Sequence, residues 1–314
     1  MIWMMLAACG QYVDAEDALV GSTTDGTNSA NIDATVELPD RSEMSAATSL
    51  QHYGQTAVMN IHTTWESVAI AQSDGSESSA EMRLVEYTEI LESIEARVVL
   101  ADALANLAAV DPDTLESGDE QLAYWMNTYN IWVVQAILDR LVEDPSYAGV
   151  ESDDFIIFTT SYVQVGEYSL TPNQIEHGII RGDDYAWENY FIDQDELLAQ
   201  AQQWHESLWG GGTLDARIHT GLNCASRSCP DIIGGAFRAE TLDEDLDAMA
   251  AAFVNNDAKG AGPSGISQLF SWYRGDFEAD YGSGMAFITA HRDGGISDVD
   301  LDNTLNYDWR LNGR

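Results

Sequence analysis

The sequence is poor in positive charge, in cysteine and in long apolar runs. Its 314 residues include only 13 Lys and Arg against 53 Asp and Glu, which gives a formal net charge of −40. This imbalance argues against nucleic acid as a partner, because phosphates require basic side chains to neutralise them. Beyond the N-terminus, no stretch of the sequence approaches the ~20 consecutive apolar residues that a membrane-spanning helix needs.

The composition nevertheless indicates a folded domain. Hydrophobic residues make up 45% of the chain, with nine Trp and thirteen Tyr, which is more than an acidic disordered protein contains. Helical periodicity alternates with short strand-like segments, so we predict an α+β fold: a helix-rich single domain with short antiparallel strands over residues 50–314. Residues 10–49 are polar and lack periodicity, which predicts a flexible acidic linker.

The N-terminus resembles the end of a bacterial lipoprotein signal. Leu6, Ala7, Ala8 and Cys9 match the lipobox, in which the cysteine becomes the lipidated first residue. Residues 1–9 lack the basic start and the full apolar segment of such a signal, so an ordinary start with a chance cysteine is the alternative. The lipobox predicts a membrane partner through a lipid at Cys9 and a location in the cell envelope, either periplasm or cell surface.

Local sequence signals predict the elements of the domain. A heptad pattern that contains Leu84, Leu91 and Val98 predicts a helix from residue 81 to the stop at residues 111–112. Capping boxes predict helix starts at Ser117, Thr171 and Thr241. Further predicted elements are a helix at 194–208 and strands at 155–160, 162–168, 217–222 and 269–273.

Residues 214–230 carry the chemistry that the rest of the chain lacks. His219, Cys224 and Cys229 combine nucleophile, base and soft-metal-ligand properties, and Arg217 and Arg227 accompany them. In a chain with so few cations, two arginines predict a local electropositive spot, which favours a thiolate.

Four sequence blocks lie in a characteristic order: residues 124–130, 169–170 with 174–181, 215–219 with 222–230, and 307–309. Together they resemble the family catalogued as domain of unknown function 547. The resemblance covers about residues 120–310 and leaves the N-terminal tail outside. Because the family name leaves the reaction open, the resemblance implies which residues cluster and not what they do.

Cys224 is the predicted nucleophile. Small residues follow it, which would expose its sulfur and let backbone N–H groups bind an oxyanion. A catalytic cysteine needs a base, and the candidates are His177 and His219. If residues 217–222 form a strand, His219 and Cys224 point to opposite faces, so His177 is preferred.

The remaining candidates have supporting roles. Glu176 projects away from its neighbour His177 and would serve the substrate or Arg217. Asn127 is a candidate to orient the histidine, although an amide in an apolar helix more often holds a neighbouring loop. Arg217, Arg227 and Asn223 are the predicted substrate-binding residues.

Three functions remain open on these residues. The first is an envelope-anchored cysteine hydrolase or acyltransferase that acts on an amide or ester in a peptide, a small molecule or an envelope substrate, without a cofactor. The second is a non-catalytic binding module in which Cys224 and Cys229 form a structural disulfide. The third is a metal-dependent hydrolase that uses His219, Cys224 and Cys229 with a fourth ligand such as His177.

Overall fold

A computed structural model describes residues 63–71, 77–233 and 236–313. These residues belong to the compact unit Ala46–Arg314, and a second unit comprises Met1–Ser45. Cys9 and the predicted linker lie outside the described residues.

The described part of the chain confirms a helix-rich α+β fold. Its strands form three two-stranded antiparallel sheets, β1 with β2, β3 with β4 and β5 with β6. The strands are β1 Thr63–Ala71, β2 Glu77–Val85, β3 Val163–Val165, β4 Tyr168–Leu170, β5 Ala261–Gly262 and β6 Gly265–Ile266. The α-helices are α1 Tyr87–Glu92, α2 Ile94–Ala109, α3 Gly118–Glu143, α4 Ile157–Thr160, α5 Asp184–Asn189, α6 Asp195–Trp209, α7 Ile218–Gly221, α8 Leu242–Val254, α9 Leu269–Trp272, α10 Arg274–Tyr281 and α11 Gly284–His291, and a π-helix spans Gln174–Ile180.

Helix α3 runs through the larger of two apolar cores. The hydroxyl oxygen of Ser117 accepts the Glu120 N–H at 3.1 Å, which confirms the predicted cap. The Glu120 carboxylate reaches back to the N–H of Glu116 at 2.8 Å, one residue before the partner that a capping box uses. Trp125 and Met126 are fully buried, in accord with the apolar faces of this helix.

Two other helix predictions are confirmed, as is the cap at Thr171. Helices α6 and α8 match the segments predicted at 194–208 and 241–255 to within a residue at each end. The Thr171 hydroxyl accepts the Gln174 N–H at 3.2 Å, and the Gln174 side chain accepts the Thr171 N–H at 2.9 Å. The element that follows this capping box is a π-helix and not the α-helix that the motif predicts.

The structure corrects the predictions for the N-terminal half. Residues 81–85 belong to β2, which pairs with β1, and the helix beyond them is divided at Ser93. Residues 155–160 do not form a strand, because Asp154 and Phe155 adopt the left-handed conformation with φ of 56° and 61° and turn the chain into α4. The hairpin is therefore formed by β3 and β4.

Three more predictions near the candidate site are wrong. Residues 217–222 and 269–273 are the helical turns α7 and α9, because short buried apolar runs carry no periodicity that separates a strand from a helix. Thr241 does not cap α8: its hydroxyl donates to the Asp245 carboxylate at 2.8 Å, since a 3-10 turn precedes the helix.

The C-terminal segment crosses the domain and ties distant parts together. It forms isolated bridges at four points, which pair Thr304 with Ile266, Arg310 with Gly149, Leu311 with Ser226 and Gly313 with Val85. Gly149 has φ of 158°, and a Cβ there would collide with the carbonyl oxygen of Trp309. This close approach places Tyr307 beside the cysteine-containing loop.

The second apolar core lies where α8, α10 and α11 meet. Phe277 of α10 packs edge-on against Phe287 of α11, with ring centroids 4.9 Å apart. Phe253 of α8 and Phe270 of α9 complete this core. It supports α10, which carries Asp276 into the polar cluster described below.

Candidate active site

The loop from Leu222 to Pro230 is held by buried asparagines. The Asn223 N–H donates to the side-chain oxygen of Asn130 at 2.8 Å, and the Asn223 amide donates to the Pro230 carbonyl at 2.6 Å. The Asn223 side-chain oxygen accepts the Ala225 N–H at 2.9 Å and the Asn312 amide at 3.1 Å. Asn223 therefore fixes the loop and has little capacity left for substrate.

The residue after Cys224 has an unusual backbone conformation. Ala225 is fully buried and adopts the left-handed region with φ of 60°, which costs energy for a residue with a Cβ. The Asn223 bond to its N–H and the Asn312 N–H bond to its carbonyl at 2.9 Å hold this conformation. The sharp turn therefore follows directly on Cys224.

Both cysteines are free, and their sulfur atoms lie 2.6 Å apart. Cys224 is partly exposed, whereas Cys229 is buried. The Sγ of Cys224 also contacts the Ser226 hydroxyl at 3.1 Å and the Tyr307 hydroxyl at 3.4 Å. Three side chains that can donate a hydrogen bond therefore converge on one sulfur.

This environment shifts the pKa values of the two thiols in opposite directions. Burial raises the pKa of Cys224, but hydrogen bonds from Cys229, Ser226 and Tyr307 outweigh it, and the net pKa is lowered. Burial and the neighbouring Cys224 raise the pKa of Cys229 well above its usual value. Burial and the charge of Cys224 also raise the pKa of Tyr307, so its phenol stays protonated.

A second polar cluster is built on the π-helix and α10. The carboxylate of Asp276 accepts the Arg181 Nε–H and the His219 Nε2–H, each at 2.8 Å. The Tyr273 ring stacks on the His219 imidazole with centroids 3.9 Å apart, and its hydroxyl donates to Glu176 at 2.8 Å. His177 lies on the same side, with its Nδ1 at 3.0 Å from Arg181.

The Tyr273 phenol stays protonated. Burial raises its pKa well above the usual value, and the negative charges of Glu176 and Cys224 add to the shift, while the charge of Arg181 opposes it. Within the described residues, neither His177 nor His219 forms a hydrogen bond with Cys224.

The arginines predicted to activate the thiol are engaged elsewhere. Arg217 forms ion pairs with Asp215, Asp243 and Asp247 at 2.7 to 2.8 Å, so its charge is matched by three carboxylates. Arg227 donates through Nε to the Leu311 carbonyl at 3.2 Å. The hydrogen bonds that lower the pKa of Cys224 thus come from neutral donors, and the charge of Arg217 is matched by carboxylates away from the thiol.

Asn127 holds a loop instead of a histidine. Its side-chain amide donates to the Phe237 carbonyl at 2.8 Å, and its oxygen accepts the Phe237 N–H at 2.9 Å. Both ends of the amide are therefore used on the backbone of one residue. Its prediction as a histidine-orienting residue has no contact to support it in the described part of the chain.

Several residues of the two clusters were missed from sequence. Arg181 follows His177 by four residues, the spacing that places two side chains on one helical face, and this signal could have identified it. Tyr307 lies in the family block at 307–309, and this block was a second signal that could have identified it. Tyr273 and Asp276 carried no local signal, because only the packing of α10 brings them to the site.

Lys259, the single lysine of the chain, binds the backbone of the cysteine-containing loop. Its ammonium group is almost fully buried and donates to the Cys229 carbonyl at 2.9 Å and to the Asp231 carboxylate at 2.7 Å. This bond fixes the backbone at Cys229 and thereby the position of the second sulfur.

A surface cavity of about 520 Å³ shares one residue, Tyr307, with the surroundings of the Cys224 sulfur. Its wall includes Gly149, Ser152, Tyr307 and Trp309. Trp309 stacks on Trp272 with ring centroids 5.6 Å apart, and Tyr307 packs against the same indole at 4.8 Å. Tyr307 therefore belongs both to the cavity wall and to the contacts of the Cys224 sulfur.

The described residues contain no group of three or more His, Cys, Asp or Glu side chains placed to hold a metal ion. The metal-hydrolase alternative has no ligand set to support it there. Among the helices in the same part of the chain, none has the length and apolar character to cross a membrane.

Fold and site together define a helix-rich α+β domain with a thiol-centred polar site. Residues 112–254 match the model of the family described as "Protein of unknown function, DUF547", which supports the resemblance seen in the sequence. This match includes both cysteines, His177 and His219, and it ends before Tyr273 and Tyr307. No curated protein and no solved structure matches the chain.

Proposed function

We propose that this domain is a cysteine hydrolase or acyltransferase in which Cys224 is the nucleophile. The observation that carries the proposal is the convergence of three hydrogen-bond donors, Cys229, Ser226 and Tyr307, within 3.4 Å of the Cys224 sulfur. Burial raises the pKa of this thiol, but the three donors outweigh it and lower the pKa. A thiolate formed in this way can attack without first passing its proton to a histidine. The proposed substrate class is an ester or amide.

In the proposed reaction the Cys224 thiolate attacks the carbonyl carbon and forms a C–S bond. The bond to the leaving oxygen or nitrogen breaks, and the leaving group takes up a proton from water. Tyr307 is placed to give a hydrogen bond to the sulfur, because its phenol stays protonated 3.4 Å away. Water or an acceptor alcohol or amine then attacks the thioester carbonyl, the C–S bond breaks, the sulfur leaves as the thiolate, and the attacking group gives its proton to water.

The cavity beside Tyr307 is the proposed binding site for the acyl group of the substrate. The rings of Trp309 and Tyr307 on its wall offer apolar contact, and the hydroxyl of Ser152 offers a polar group. An ester with a short aliphatic or aromatic acyl chain is therefore a suitable first probe.

The second candidate is a non-catalytic binding module with a Cys224–Cys229 disulfide. The close approach of the two sulfur atoms, 2.6 Å, favours this candidate, since little movement would bring them to the about 2.05 Å of a disulfide bond. In that form Cys224 could not act as a nucleophile.

The test is covalent trapping of the acyl group. The full chain would be incubated with p-nitrophenyl butyrate, and peptide mass analysis would locate any butyryl group, with Cys224→Ala and Cys229→Ala variants in parallel. A butyryl group on Cys224, lost only in the first variant, supports the enzyme. Iodoacetamide labelling of Cys224 that requires reductant, with no butyryl adduct before reduction, supports the disulfide module and contradicts the enzyme.

We propose separately that Cys9 carries a lipid and anchors the protein in the cell envelope. The lipobox sequence supports this proposal. Expression with an alkyne analogue of palmitate in a bacterial host should label the wild-type chain and not the Cys9→Ser variant. Equal labelling of both chains, or of neither, would contradict the proposal.

A further inference from the structure

We propose that Cys224 is a site of oxidation by hydrogen peroxide and that Cys229 is the resolving thiol, which joins the oxidised sulfur in a reversible disulfide. This inference rests on the proposed function, because it uses the same nucleophilic sulfur. It adds a means of regulation: the reduced pair is active, and the oxidised pair is inactive. It also gives Cys229 a chemical step of its own.

The two cysteines differ in their access to solvent. Cys224 is partly exposed, whereas Cys229 is buried. The Cys229 sulfur accepts the Cys224 N–H at 2.9 Å and lies 3.7 Å from the Leu222 carbonyl oxygen. A small peroxide that enters from solvent therefore reaches Cys224 first, and the Cys229 thiol remains for a second step.

The contacts of the Cys224 sulfur favour its reaction with a peroxide. The Ser226 and Tyr307 hydroxyl groups lie 3.1 Å and 3.4 Å from this sulfur. Hydrogen bonds from these groups and from Cys229 lower the pKa of Cys224 and so favour the thiolate, which is the form that peroxides oxidise.

In the first step the Cys224 thiolate attacks one oxygen of hydrogen peroxide. An S–O bond forms, the O–O bond breaks, and hydroxide leaves and takes up a proton from solvent. The sulfur is oxidised by two electrons to a sulfenic acid, and the peroxide is reduced to water. The Ser226 and Tyr307 hydroxyl groups are close enough to the sulfur to donate hydrogen bonds to the new oxygen.

In the second step the Cys229 sulfur attacks the Cys224 sulfur. An S–S bond forms, the S–O bond breaks, and the thiol proton leaves with the hydroxyl group as water. Because the two sulfur atoms are 2.6 Å apart, this step should occur before a second peroxide arrives. Two molecules of a thiol such as glutathione reverse it: they give one hydrogen to each sulfur and form a disulfide with each other.

The loop holds both cysteines in place without an S–S bond. The Asn223 side chain binds the Ala225 N–H and the Pro230 carbonyl, and the Lys259 ammonium group binds the Cys229 carbonyl. A disulfide between residues five apart would close a short loop, which constrains the unfolded chain less than a long one. Since the fold does not depend on the bond, the pair can open and close within one structure.

The first experiment follows the mass of the protein. The parent chain carries Cys9→Ser, so that Cys224 and Cys229 are its only cysteines. It is purified under nitrogen with both thiols free and then treated with hydrogen peroxide. The intact mass should fall by two hydrogen atoms, iodoacetamide should no longer label Cys224, and glutathione should restore both. A chain that gains oxygen, or that keeps both thiols, overturns the inference.

Two matched serine variants of the parent chain separate the roles of the cysteines. In Cys229→Ser the sulfenic acid has no partner, so dimedone should capture it at Cys224, and excess peroxide should give at least about tenfold more sulfinic acid than in the parent chain. In Cys224→Ser the buried Cys229 should keep its thiol. Equal rates of oxidation in the two variants would overturn the assignment. The parent-chain result stands on its own if a variant fails to fold.

Butyryl trapping on the same preparation separates this inference from the proposed function. Oxidation should lower the uptake of the butyryl group from p-nitrophenyl butyrate at least about tenfold, and glutathione should restore it. A reduced chain that takes up the butyryl group but forms no disulfide with peroxide overturns this inference alone. A chain that forms the reversible disulfide but takes up no butyryl group when reduced contradicts the proposed function, and the oxidation site still stands.

Discussion

The sulfur of Cys224 is surrounded by few polar atoms, so each contact should have a measurable effect. We predict that Tyr307→Phe raises the pH for half-maximal iodoacetamide labelling of Cys224 by about one unit, because one donor to the thiolate is lost and about 1.4 kcal/mol corresponds to one pH unit. The direction follows from the sign of the shift: the donors lower the pKa of Cys224, and removing one raises it. Labelling would be followed by peptide mass.

Tyr281→Phe is the matched control for this substitution. The Tyr281 hydroxyl contacts His291 at 3.1 Å, and the residue packs against the second apolar core and not in the thiol site. The labelling profile of this variant should overlay the wild type. A Tyr307→Phe profile that also overlays the wild type would mean that the phenol does not stabilise the thiolate.

Asn223 should matter for stability more than for chemistry. Its side chain makes three buried hydrogen bonds, to Ala225, Pro230 and Asn312. We predict that Asn223→Ala lowers the free energy of unfolding by about 3 kcal/mol, since it leaves buried polar groups without partners. Urea unfolding followed by circular dichroism would measure this loss.

Asn189→Ala is the control variant, because it removes one exposed hydrogen bond of a side-chain amide. Asn189 donates to the Tyr185 carbonyl at the surface, and its loss should cost below about 1 kcal/mol. If both variants lose the same amount of stability, the asparagine network does not hold the loop.

At the scale of elements, Asp276 joins three of them. It lies on α10 and binds Arg181 at the end of the π-helix and His219 on α7. Its side chain is only 21% exposed, so Asp276→Asn should cost about 3 kcal/mol at pH 7 by breaking a largely buried ion pair.

The same residue should give stability a pH dependence. Burial raises the pKa of Asp276, but the His219 hydrogen bond and the Arg181 charge outweigh it and depress the pKa well below its usual range. A depressed carboxyl pKa stabilises the fold above the unfolded value of about 4 and loses that contribution as the pH falls further. The wild type should therefore lose stability below about pH 4, and Asp276→Asn should show a flatter profile. The exposed Asp302→Asn variant should keep the wild-type slope, and a steep profile in Asp276→Asn would contradict this origin.

The elements that could be predicted from sequence are those with signals inside one segment. The caps at Ser117 and Thr171 and the long periodic stretch of α3 are local, and the structure confirms them. Helices of four residues, such as α7 and α9, are too short to show helical periodicity in their apolar residues, so the sequence predicts strands there. Because residues 218–221 form a helical turn, the sequence-based argument against His219 as the base no longer holds, since it assumed strand geometry.

Some residues of the candidate site could likewise be predicted from the sequence, and others could not. Cys224 and its neighbouring cysteine were found because their residue types are rare in this chain. Tyr307, which contacts the Cys224 sulfur, and Asn312, which donates to Asn223 in the same loop, come from the far end of the chain, more than 80 residues away. No local pattern reports such pairing, because it depends on the bridges that dock the C-terminal segment.

For the whole molecule, charge is the property that stands out. Several of the 13 cationic side chains are largely buried, and each of these is paired with a carboxylate. The exposed fractions of their side chains are 1% for Lys259, 6% for Arg292, 12% for Arg181 and 14% for Arg217. Few positive charges remain to offset the acidic surface. The folded state therefore concentrates negative charge that the unfolded chain spreads out.

We accordingly predict that salt stabilises the protein. Raising NaCl from 0.01 M to 1 M shortens the Debye length from about 30 Å to about 3 Å. This screening of the repulsion between carboxylates should raise the midpoint of thermal unfolding by roughly 4 °C, which corresponds to about 1 to 2 kcal/mol for a domain of this size. Sorbitol at equal osmolality separates screening from solvent exclusion, and it should give a smaller rise. A midpoint that falls with NaCl, or that rises equally with sorbitol, would mean that repulsion between the acidic side chains does not limit the stability of the fold.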